Sequence, residues 1–94
     1  MVYRGSTRGR GQLVMNGRKV GEFRYEVRGY QQGESKEFTG TLWGDPLTLQ
    51  RGFEARELAL VLKTGIQVQI VMARMSLGAG TGSIHVNADV VDLE

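Results

Sequence analysis

The sequence predicts a small all-β domain: an antiparallel barrel, or a compact sandwich, of six to seven strands with room for one short helix near 53–62. Three observations carry this prediction. Several short stretches alternate apolar and polar residues at period two, the pattern of strands with one buried face. Turn-forming residues separate those stretches at intervals of roughly 8–15 residues. Glycine supplies 14 of the 94 residues beside a single proline, about twice its usual share of roughly 7%. A closed barrel is the economical form, because it leaves no exposed strand edge in a chain too short for two full sheets.

Residues 1–10 read as an irregular basic arm ahead of a single barrel domain spanning 11–94. The Arg-Gly steps at Arg4-Gly5, Arg8-Gly9 and Arg10-Gly11 combine glycine and charge in a density that disfavours helix and strand alike. Gln12–Met15 then meets Asn16-Gly17, the strongest short-range signal for a hairpin, because both residues tolerate positive φ. The return strand alternates strictly: Phe23, Tyr25 and Val27 share one face, and Glu22, Arg24, Glu26 and Arg28 the other. The alternating charges on that second face suit a solvated surface and not a nucleic-acid track.

After a polar turn at 30–35, Lys36–Trp43 forms a third strand with Phe38 on one face and Thr39, Thr41 and Trp43 on the other. Gly44-Asp45-Pro46 ends it with turn chemistry, and Leu47 and Leu49 suggest a short strand. Residues 53–63 fit two patterns. Ala55, Leu58, Ala59 and Leu62 share a helix face, while Leu58, Leu60 and Leu62 alternate as in a strand. The clear alternation of Ile66, Val68, Ile70 and Met72 after Thr64-Gly65 favours a hairpin of 57–63 with 66–75. A glycine-rich connection at 78–82 leads to a last strand carrying Ile84, Val86, Ala88 and Val90. The expected core is Phe23, Tyr25, Val27, Trp43, Leu58, Leu60, Leu62, Ile66, Val68, Ile70, Ile84 and Val86, with Phe38 and Phe53 as further candidates.

The net charge is +2, too mild to imply a nucleic-acid partner by itself. It is unevenly spread: residues 1–30 hold seven basic groups against two acidic, and residues 31–94 hold five against eight. No run approaches the 18 or so apolar residues of a membrane span, and the N-terminal residues lack the apolar core of a secretory signal. The sequence therefore suggests a cytoplasmic protein with no membrane association.

Catalysis finds little support. There is no cysteine and one histidine, so few groups can be tuned as a general base near neutral pH. His85, Asn87 and Asp89 share one strand face, but side chains about 6.6 Å apart along a strand do not converge on one metal. The Gly78–Gly82 loop feeds a strand instead of a helix N-terminus, so it lacks the geometry of a phosphate loop. No catalytic residue, metal site or cofactor is assigned, and the expectation is a non-enzymatic binding or interaction module.

Two modes of interaction suggest themselves. Ala59, Val61, Val71 and Ala73 lie opposite the core face of the 57–73 hairpin. A strand apolar on both faces needs a cover on both, which points to a homo-oligomer joined there. The alternative is a polyanion, nucleic acid or nucleotide, bound through Arg4, Arg8, Arg10, Arg18 and Lys19, since guanidinium forks match phosphate geometry.

Arg4-x-x-x-Arg8 also resembles one half of the signature of PilZ domains, small β-barrels that bind cyclic di-GMP. The other half, Asp/Asn-x-Ser-x-x-Gly on a following strand, has its nearest counterpart in Asn16–Gly21. There Arg18 stands in the serine position, and the spacing is much shorter than in the family. The resemblance covers only these two short motifs and implies a barrel with an anionic ligand at Arg4 and Arg8.

Overall fold

The Asn16-Gly17 turn forms as its residues dictate. In the computed structural model, which describes residues 2–87, both take positive φ, 49° and 84°. The turn joins β1 (Val2–Met15) to β2 (Arg18–Gln32). Asn16 also clasps the chain ahead of the fourth strand: its backbone N–H donates to the Glu57 carbonyl at 2.9 Å, and its Oδ1 accepts from the Glu57 N–H at 3.0 Å. β3 (Ser35–Trp43) completes a first antiparallel meander. A second consists of β4 (Leu58–Val61), β5 (Gln67–Ser76) and β6 (Thr81–Asn87).

The two meanders meet edge to edge. β3 pairs with β6, and β1 pairs with β4, so the order β1-β2-β3-β6-β5-β4 closes on itself as a six-stranded barrel. Alternation places Leu13, Phe23, Val27, Leu42, Leu60 and Ile84 among the buried residues of its interior. No helix among the described residues is long and apolar enough to cross a membrane.

Among the described residues, Tyr25 is the largest fully buried side chain. Its hydroxyl accepts the Lys63 N–H at 2.9 Å, which ties β2 to the segment leaving β4. That reach crosses β1, and β1 has room for it because its inward residues there are Gly9 and Gly11. A β-carbon at Gly11 would overlap the Val61 carbonyl and crowd the Tyr25 ring.

Several sequence expectations change here. Residues 2–10 are the first part of β1 and pair with β2 from Val2↔Gln31 onward; they are not an irregular arm. The glycines that argued against a strand face the interior, where the barrel wall is tightest, and the arginines at 8 and 10 face out. The helix, α1, spans Pro46–Glu54 and not 53–62. It replaces the short strand expected at Leu47 and Leu49. Asp45 is its N-cap and Pro46 opens it, so Gly44-Asp45-Pro46 starts a helix and does not merely turn the chain. Leu49 and Gly52 face the barrel, with Leu49 completely buried. Trp43 is half-buried on the outer wall, and Ile66 and Phe53 are about half exposed, so none of the three belongs to the core. The Leu77–Gly80 turn is held in place, because the Gly44 N–H donates to the Gly80 carbonyl at 3.0 Å. The expected strand positions Ala88 and Val90 lie outside the described residues.

Gly11→Ala should destabilise the protein by about 1–3 kcal/mol, because backbone and a buried ring must both give way. Gly78→Ala, where nothing lies near the new methyl group, should stay within about 0.5 kcal/mol; urea denaturation of both variants checks this. The Asp45 carboxylate accepts the Thr48 hydroxyl at 2.8 Å and the Thr48 N–H at 2.9 Å, and these bonds hold its pKa below the usual carboxylate value. A lowered folded-state pKa stabilises above the unfolded-state pKa of about 3.9 and is lost as pH falls through the folded-state value. Asp45→Ala should therefore lower the melting temperature at neutral pH, with a deficit that shrinks in acid.

Candidate anion-binding face

The first meander turns a charged face to solvent, and its register decides which charges meet. Arg8 lies opposite Glu26, Arg10 opposite Arg24, and Arg24 in turn opposite Trp43 on β3. Arg28 lies between Ser6 and Thr39. Counting back from the Asn16-Gly17 turn would not give this arrangement. One extra residue, Val20, bulges between the Val14↔Lys19 and Leu13↔Gly21 pairs. Such a bulge shifts the register by one and sets which face every later side chain takes.

Glu26 organises one part of the face. Its carboxylate receives Arg28 at 2.7 Å and Arg8 at 3.3 Å. Arg10 and Arg24 present the opposite situation, since like charges directly across an antiparallel pair repel. Each finds a partner to one side: Arg10 reaches Glu22 at 3.1 Å, and the Arg24 guanidinium lies over the Trp43 ring, 4.8 Å from its centroid. The result is four guanidiniums against two carboxylates, with an indole at one edge.

These residues border an open groove of about 580 Å³ lined by Arg8, Gly9, Arg10, Arg24, Tyr25, Glu26 and Trp43. A second depression continues past Arg10, Glu22, Arg24, Trp43 and Gly44. That volume lies within the roughly 300–1,000 Å³ typical of small-molecule sites. The arrangement can hold an anion between guanidiniums and offer an aromatic surface to a planar group.

Of the five basic residues expected to act together, only Arg8 and Arg10 line this groove. Arg4 sits in a bulge near the start of β1, between the Tyr3↔Tyr30 and Gly5↔Gly29 pairs. Arg18 and Lys19 lie just past the turn at the other end of the hairpin. Arg4 and the residue paired with Arg18 are separated by roughly 35 Å along the strand. The two motif halves that resemble the PilZ signature are thus held apart, with Arg4 and Arg8 in a strand and Asn16–Gly21 at the far turn.

The other candidates separate as well. Ala59 is buried, Val61 half-buried, and Val71 and Ala73 exposed, and Ala73 falls in the bulge between the Met72↔Ile84 and Arg74↔Ser83 pairs. Gln67 and Gln69 interrupt any apolar surface beside them. His85 is exposed on β6, opposite Thr39 and Val71; Asp89 lies outside the described residues. Among the described residues, no three His, Asp or Glu side chains gather as metal ligands.

Sequence reasoning passed over Arg24, Glu26, Arg28 and Trp43 as site residues. Their alternation was visible, but their meeting with Arg8 and Arg10 depends on the Val20 bulge. Compared with known proteins, the chain matches no family model, no curated protein and no solved structure.

Proposed function

We propose that this chain is a non-enzymatic binding module that takes a phosphate-bearing, nucleotide-like ligand on the outer face of β1, β2 and β3. The observation that carries this reading is the opposed Arg10–Arg24 pair beside Trp43 in an open groove. An anion placed between the two guanidiniums relieves their repulsion and accepts charge-assisted hydrogen bonds from both. The indole lines the same groove and is placed to meet a base, as aromatic platforms do in nucleotide and single-strand sites. The exposed Arg10–Glu22 pair beside it is no obstacle, since such pairs contribute only about 0–1 kcal/mol.

Trp43 is the only tryptophan, so its emission reports on the groove directly. Titration with a nucleoside monophosphate should quench or shift that emission. Arg24→Ala should weaken the binding about 10-fold or more, the scale of a lost hydrogen bond to a charged group. Arg18→Ala, at the far turn, should leave it unchanged. An emission spectrum indifferent to millimolar nucleotide overturns the reading.

A second reading is self-association through the outer face of β4 and β5, and Val71 supports it. This β-branched side chain is 62% exposed in mid-strand. Light scattering behind size-exclusion chromatography should then show a dimer or higher species that Val71→Glu returns to monomer. A chain that is monomeric at high concentration ends this reading.

A further inference from the structure

We infer that the natural ligand of this face is a single-stranded nucleic acid, lying along β2 from Trp43 at one end to the Tyr3–Tyr30 pair at the other. This inference rests on the nucleotide reading above and extends it from one nucleotide to a polymer.

The second end of the track is an aromatic pair. Tyr3 and Tyr30 lie opposite each other on β1 and β2, with ring centroids 5.7 Å apart and planes at 64°. Tyr30 shares the outward alternation of Glu22, Arg24, Glu26 and Arg28, and Tyr3 is 56% exposed. Arg24 and Arg10 stand level with Trp43, and Arg8, Glu26 and Arg28 lie on the same wall between the two aromatic ends. The face therefore runs aromatic, basic, aromatic, the composition of surfaces that stack successive bases while guanidiniums follow the phosphates.

The spacing sets the length of the ligand. Trp43 is opposite Arg24, and Tyr30 lies six residues farther along β2 with no irregularity against β3. At about 3.3 Å per residue the platforms are about 20 Å apart. A stacked strand rises about 3.4 Å per nucleotide, so roughly six nucleotides span the gap, and fewer if the strand is stretched. A mononucleotide occupies only one end.

The charge pattern favours a single strand over a duplex. Stacking on Trp43 and the tyrosines requires bases with a free face, which a duplex hides within its own stack. Glu22 and Glu26 stand among the arginines and oppose the dense double line of phosphates that a duplex brings.

Fluorescence anisotropy with labelled oligothymidylates from roughly two to roughly eight nucleotides tests this, beside a duplex and a nucleoside monophosphate. Affinity should rise with length, level off near roughly six nucleotides, and fall with salt at a log–log slope of no more than about 3, given four guanidiniums at about 0.7 each. Tyr30→Ala should weaken the longer strands by about 5- to 150-fold, the scale of one lost stacking contact, and leave mononucleotide binding at Trp43 intact. If circular dichroism shows that Tyr30→Ala does not fold, Tyr3→Ala at the exposed partner supplies the same measurement. The inference is overturned by long strands that bind no tighter than the mononucleotide, by a duplex that binds as tightly as a single strand, or by tyrosine variants that bind long strands normally. In each of those cases nucleotide binding at Trp43 still stands; a protein that binds none of the probes loses both readings.

Discussion

Barrel closure depends on a contact that leaves no space for a side chain. β4 must come close enough to β1 to pair with it, and Tyr25 must pass beneath β1 to reach the Lys63 N–H. Both demands meet at Gly11, where the Val61 carbonyl and the Tyr25 ring occupy the place of a β-carbon. Without that closure the first meander would be an open sheet with two free edges, a form that small proteins protect against. The Asn16–Glu57 clasp reinforces the same seam from the turn, and Leu49 of α1 is buried against the barrel.

The closed wall gives the charged face its character. A strand that spends its inward positions on glycine keeps its outward positions for arginine, so the economy that lets β1 fit also loads its outer surface. Glu26 and Glu22 hold three of the four guanidiniums, and Trp43 holds the fourth. The Arg10–Glu22 pair is exposed and therefore weak, while Arg28–Glu26 is part-buried. They orient the arginines without committing them, which suits exchange for an incoming phosphate.

Legibility differed from element to element, for physical reasons. The β2 alternation and the Asn16-Gly17 turn were plain, because period two and a positive-φ turn are local properties; the strand β4 was not, because its leucines fit a helix face as well, and only the alternation that follows it favoured a hairpin. Asp45-Pro46 also carried a local signal, that of a capped helix, but the two leucines behind it fit a strand as readily. The Arg-Gly segment was misleading in a different way. Its glycines have low strand propensity, and only the crowded interior of a closed barrel makes them the right residues there. Trp43 sits in a clean alternation with Thr39 and Thr41, yet its size suggested the core; its actual partner, Arg24, lies on another strand.

By itself, then, the sequence determined the class of fold, the absence of cysteine chemistry and most of the turns, since each follows from composition or from neighbours close in the chain. Tertiary structure decided what the glycines of β1 are for and which arginines stand together. The single-residue bulge at Val20 aligns Arg8 and Arg10 with Glu26 and Arg24 instead of with the residues that simple counting from the turn would give. A register shift of one residue exchanges the two faces of a strand. The composition of the binding face is therefore fixed by pairing across the barrel, and no reading along a single strand contains it.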